Sequence, residues 1–168
     1  HVGDLTTMAL VPQVVDAVEI PVLAAGGIAD GRQVAAAFML GACGVQVGTR
    51  FLVAKECTVH QNYKDKILKA HDIDTVVTGK RLGHPVRALR NNFTKEFARL
   101  EQSASVTDEE IERFGAGSLR LAAREGDVKQ GSVMAGQGAT MVTKEQPAAE
   151  IIQEMFTQAE EVLKGATK

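Results

Sequence analysis

Apolar residues along this chain fall into short unbroken runs in its first third and into helically spaced stripes after that. Val22-Leu23-Ala24-Ala25 stops abruptly at Gly26-Gly27, and Val45-Gln46-Val47 stops at Gly48. Unbroken apolar runs are the mark of strands covered on both faces, and hence of a parallel sheet. The small residues from Arg32 to Ala42 lie between the runs and predict one helix, beginning at Asp30 or Gly31, with Val34, Ala37, Phe38 and Gly41 on its buried face. The unit is strand, helix, strand. Upstream, Leu10, Val11, Val14, Val15 and Val18 fall on one helical face, with Thr6 or Thr7 available as N-cap and Pro12 close to the first turn.

After Phe51 the texture changes. Thr58 to His71 reads as a charged helix with Tyr63, Ile67 and Leu68 as a narrow apolar stripe. Asp72 to Thr78 is short and β-branched, and Gly83 to Arg90 reads as a basic loop running into a helix that carries Phe93, Phe97 and Leu100. Thr107 with Glu110 is a capping-box pair, and Ser118 to Glu125 predicts a further short helix. A glycine-dense loop, Gly126 to Gly138, precedes a last helix from Pro147 to Lys164, expected to bury Ile152, Met155, Phe156, Ala159, Val162 and Leu163. Domains are expected at residues 1–57, 58–130 and 131–168.

Glycines at the carboxyl ends of parallel strands let backbone N–H groups close on an anion, which makes a phosphate site the natural reading of Gly26, Gly27 and Gly48. In (β/α)8 barrels the loops after the last two strands hold that phosphate. Tight turns with close helix packing account for a single glycine pair equally well. The Gly126–Gly138 loop also has two readings: plain turns, or a segment that buries Val133 and Met134 against a flat ligand.

The 168 residues carry 19 Lys and Arg against 21 Asp and Glu, with 45% hydrophobic residues. No basic excess points to nucleic acid, and no apolar run nears the roughly 20 residues that span a bilayer. Cys43 and Cys57 have no metal-ligand spacing, so no metal site is expected. Reduced thiols and the absence of a signal-peptide pattern lead to the expectation of a cytoplasmic protein. A chain that opens His1-Val2-Gly3-Asp4 is expected to be a piece of a longer one.

His1-Val2-Gly3, Ala24 to Gly31, Gln46 to Phe51, Gly83 to Arg87 and Gly131 to Gln137 together resemble the FMN-dependent enoyl-[acyl-carrier-protein] reductase II of bacterial fatty-acid synthesis. The wider relatives are the nitronate monooxygenases. The resemblance runs through essentially the whole chain, and Gly-Ser-Val-Met-Ala-Gly-Gln is similar to the reductase branch. It implies an α/β fold: the last two strands of a (β/α)8 TIM barrel with an appended small helical domain. The barrel is incomplete as given, since such barrels need about 250 residues.

The resemblance also implies site residues. Ala25, Gly26, Gly27, Gly48 and Thr49 would hold the FMN phosphate, and His1 would be the catalytic acid or substrate-orienting group. Ser132, Met134 and Gln137 would lie on the substrate side, although Gln137 serves equally well to satisfy loop carbonyls. Arg50 and Arg87 would suit an anionic partner, although surface ion pairs are the commoner fate of an arginine. NAD(P)H as reductant, an acyl-carrier-protein thioester as substrate and a homodimer follow from the same resemblance. Nitronate oxidation with O2 is the competing chemistry, and a non-catalytic truncated fragment is the competing class.

Overall fold

The computed structural model describes residues 2–166. In chain order the elements are α1 (Thr7–Ala17), β1 (Leu23–Ala25), α2 (Gly31–Met39), β2 (Gly44–Gln46), α3 (Thr49–Leu52) and α4 (Gln61–Leu68). There follow β3 (Thr75–Thr78), β4 (Val86–Leu89), α5 (Asn92–Gln102), α6 (Asp108–Gly115), α7 (Ser118–Ala123), a 3-10 turn (Gln137–Met141) and α8 (Ala148–Ala166). They form two compact units, one of residues 4–57 with 141–166 and one of residues 2–3 with 58–140. The chain thus returns at Met141 to the unit it left at Cys57. The segment expected as one piece over 131–168 is cut between 140 and 141, because Ser132 and Val133 bond to Ser118 and Leu89 of the second unit.

In the first unit β1 and β2 pair in parallel, with Leu23 opposite Gly44, Ala24 opposite Val45 and Ala25 opposite Gln46. Helix α2 connects them, as the apolar pattern predicts. Its start is fixed by Asp30, whose carboxylate accepts the Arg32 and Gln33 N–H groups, while the Gln33 side chain accepts from Asp30 in return. Such a cap contributes about 1 kcal/mol. The buried set is Val11, Ala24, Ile28, Val34, Ala35, Ala37, Ala42, Ala54, Ile151, Met155 and Ala159. Small side chains predominate, and they let α2 lie hard against α8. At Gly31 a methyl group would overlap the Met155 carbonyl oxygen and lie 2.6 Å from the Ala159 nitrogen. Gly31→Ala is therefore expected to destabilise a full-length protein containing this chain by about 3 kcal/mol, the upper end for overpacking. An unchanged urea midpoint would show that the two helices can separate freely.

Helices α1 and α8 bury less than expected. In α1 only Val11 is buried, while Leu10 and Val18 are 42% and 39% exposed, because two three-residue strands are too narrow to cover its apolar face. Pro12 lies inside α1 rather than near its first turn, where it removes the donor for the Met8 carbonyl. In α8 the buried stripe is Ile151, Met155 and Ala159, at steps of four. Ile152, Phe156 and Val162 are exposed, although the Phe156 ring still lies 6.4 Å from that of Phe38 in α2. The sheet is also covered on one side only, with Ala24 buried and its neighbour Leu23 60% exposed.

In the second unit, Val86–Leu89 is a strand, where a loop running into a helix was expected. It pairs antiparallel with β3, with Thr75 opposite Leu89 and Thr78 opposite Val86. The turn between them depends on Gly79, whose φ of +82° and 2.6 Å Cβ approach to the His84 carbonyl exclude a side chain. Phe93 and Phe97 of α5 pack with Ile111 of α6, and the Phe93 and Phe114 rings stack 5.3 Å apart. Thr107 and Glu110 form the expected capping box.

Candidate functional site

The turn after β1 is shaped by two glycines in the left-handed region, Gly26 at φ +105° and Gly27 at φ +75°. Both conformations are strained for residues with a Cβ. Ile28 and Ala29 anchor the turn by burial, and the Gln33 side chain accepts the Ala29 N–H at 2.7 Å. On its other side the Thr7 hydroxyl lies 3.3 Å from the Ala25 carbonyl oxygen and 3.0 Å from that of Gly26. The first amides of α2 are all satisfied inside the unit. Asp30 takes Arg32 and Gln33, and the Gln158 side chain takes Gly31 at 2.7 Å.

Because β1 and β2 are parallel neighbours, the turn after β2 lies beside this one at the carboxyl edge of the sheet. It carries Gly48 and Thr49. Gly48 has φ −104° and ψ −70°, a conformation open to any residue, and a Cβ there would meet nothing within 4 Å. Neither backbone strain nor packing within the described residues requires a glycine at 48. What it provides is close access to the backbone at the start of α3, where Gly48 makes no side-chain cap bond. A Cβ at Gly27 would also meet nothing within 4 Å. Ala25 is exposed and Thr49 half-buried, so the five residues expected at a phosphate share one sheet edge.

Other expected site residues are placed differently. Arg50 is 6% exposed, and its guanidinium donates to the Lys144 carbonyl at 3.2 Å and to the Gln146 side-chain oxygen. Desolvation pushes its pKa down, with Glu154 opposing. It pins the returning segment to the unit, together with the parallel bridge of Ala54 with Gln146, and does not present itself to an anion. Arg87 donates to the Thr75 hydroxyl at 3.0 Å within its own hairpin. His1 lies outside the described residues.

Ser132 is buried and its N–H donates to the Ser118 carbonyl at 2.9 Å. Val133, for which a flat ligand was one of two readings, is fully buried by protein alone, and its carbonyl accepts the Leu89 N–H. Met134 is half-buried, bridges Ala88 and accepts the Tyr63 hydroxyl at 2.8 Å. The 132–135 segment is thus held along β4. Asn91 supports it, donating to the Val128 and Gly131 carbonyls. Gln137 is exposed and opens the 3-10 turn. Thr7 and Gln158 are contributors that the sequence pattern did not single out. Adjacent threonines suggested a helix cap, yet Thr6 at the N-cap makes no cap bond and the Thr7 hydroxyl reaches back to the turn.

Glycine turns at the carboxyl edge of a parallel strand pair, followed by a helical and hairpin unit, define an α/β fold similar to those of TIM-barrel enzymes. FabK from Thermotoga maritima is similar over 99% of this chain and 53% of its own, at TM-score 0.95 and 46% identity. Nitroalkane oxidase from Streptomyces ansochromogenes is similar over 98% of this chain and 46% of its own, at TM-score 0.80 and 30% identity. Residues 1–158 match the nitronate monooxygenase family model, and the chain belongs to that family. Among curated relatives, a probable nitronate monooxygenase of Staphylococcus saprophyticus is 39% identical over 158 residues. That stretch is 94% of this chain and 44% of the relative, so the chain spans less than half the length of the curated protein it matches.

Proposed function

We propose that a full-length protein containing this chain is an FMN-dependent oxidoreductase that uses NAD(P)H to reduce trans-2-enoyl thioesters on acyl carrier protein. The observation that carries this reading is the likeness to FabK from Thermotoga maritima, beside the Gly131–Gln137 motif that resembles the reductase branch. FabK is the nearer of the two structures above in both geometry and identity. The glycine turns fit the cofactor: Gly48 is required by neither conformation nor packing, and open space lies above it and above Gly27. Backbone groups at Ala25, Gly26, Gly27 and Gly48, with the Thr49 hydroxyl, would hold the phosphate, since such concavities suit anions. When bound, FMN supplies hydride transfer between the nicotinamide and the carbon–carbon double bond. Ser132, Met134 and Gln137 are assigned to the substrate side, where the Gln137 amide can donate to the developing charge on the thioester oxygen. His1 is assigned as the acid or orienting group. A homodimer is the proposed assembly.

Nitronate oxidation is the second reading, supported by the family model and the curated relatives. The two separate cleanly in one comparison. A reductase oxidises NADH anaerobically when crotonyl thioester is added, whereas a monooxygenase turns over an alkyl nitronate only in air. Nitronate turnover without enoyl-dependent NADH oxidation would overturn the reductase assignment.

A further inference from the structure

We propose that Thr7 is a positioning residue for the phosphate turn, setting which way its peptide groups face; this rests on the FMN-phosphate reading above. The Thr7 hydroxyl lies within hydrogen-bond distance of two consecutive carbonyls, Ala25 and Gly26, which are 18 and 19 residues away in sequence. In a trans peptide the C=O and the following N–H point in opposite directions. Drawing the Ala25 and Gly26 oxygens toward Thr7 therefore turns the Gly26 and Gly27 N–H groups away from α1. The carbonyls would repel an anion, and the amides would attract it.

Glycine is the residue for which this orientation is least determined by its own backbone, because it populates both signs of φ about equally. Gly26 and Gly27 are consecutive, so the peptide between them can flip at little local cost. An outside donor has to choose the face. Thr7 is well placed for this because α1 fixes its backbone and its hydroxyl is not engaged in helix capping, Thr6 being the N-cap residue. The fit is close: a Cβ at Gly26 would come within 3.1 Å of the Thr7 Oγ1.

The test uses the apo form of a full-length protein containing this chain, titrated with FMN and with riboflavin, which lacks only the phosphate. Flavin fluorescence gives both dissociation constants. Wild type should bind FMN far more tightly than riboflavin. Thr7→Val should lower that preference about tenfold, the scale of a charge-assisted hydrogen bond, and leave riboflavin binding unchanged. Thr7→Ser, which keeps the hydroxyl, should retain the preference. If Thr7→Val does not fold, Thr7→Ala makes the same comparison without a second methyl. Equal weakening of both flavins, or an unchanged preference, would reduce Thr7 to a packing residue and overturn the inference. Equal binding of FMN and riboflavin by wild type would instead refute the phosphate reading itself.

Discussion

Gly48→Val in a full-length protein containing this chain is expected to emerge colourless, without FMN, and with its fold intact. At φ −104° the backbone accepts valine, and its Cβ has no neighbour within 4 Å. The intrinsic cost of a β-branched residue at the start of a helix is below about 1 kcal/mol. The effect on the cofactor is much larger. A phosphate oxygen bonded to a backbone N–H sits about 2.9 Å from the nitrogen, inside the volume the two valine methyl groups would occupy. Losing two or three hydrogen bonds to a charged group, at about 1.5–3 kcal/mol each, weakens binding at least a hundredfold. Visible absorbance of the purified variant, with its melting temperature as the control for folding, makes the measurement. A yellow variant with wild-type affinity would remove Gly48 from the phosphate site.

The second large effect concerns the 168 residues by themselves. Without further chain they are expected neither to bind FMN tightly nor to oxidise NADH. The two strands of the first unit pair only with each other among the described residues, and such open edges recruit other chains. Leu23 is 60% exposed and Ile20 72%, with Leu5 and Met8 of the same unit also in water. Two or three backbone bonds to a phosphate, at about 1.5–3 kcal/mol each, are largely consumed by the roughly 4–15 kcal/mol cost of immobilising a ligand. Light scattering and visible absorbance on the isolated chain decide the matter. A monodisperse yellow preparation would contradict the expectation outright.

What could be read from the sequence was what neighbouring residues encode. Thr107 with Glu110 is a pair three apart, and Asp30 stands directly before a run of small residues, so both helix starts were legible. The strand, helix, strand order around Gly26 and Gly48 was legible because each run ends in its own glycines. Strand β4 was not, because Arg87 interrupts a four-residue stretch and its pairing with β3 is a tertiary fact. The roles of Thr7, Arg50 and Gln158 were hidden for a stronger version of the same reason. Their partners lie 18 to 19, 94 to 96 and 127 residues away, and no local period records them. Burial on α1 and α8 was overestimated because a helical stripe shows which face is apolar and not how much sheet lies beneath it.

The return of the chain at Met141 sets an order of events during translation. The amide of Gly31 and the face carrying Val34 and Ala35 are complete only when Met155, Gln158 and Ala159 have left the ribosome. At ordinary synthesis rates that wait is about ten seconds. Throughout it the first unit is unfinished, and by its last part the intervening 58–140 segment has been made in full. A stop codon between Met141 and Met155 would therefore yield a product whose 58–140 segment is whole and whose first unit exposes a strip of alanine and valine, a target for quality-control proteases.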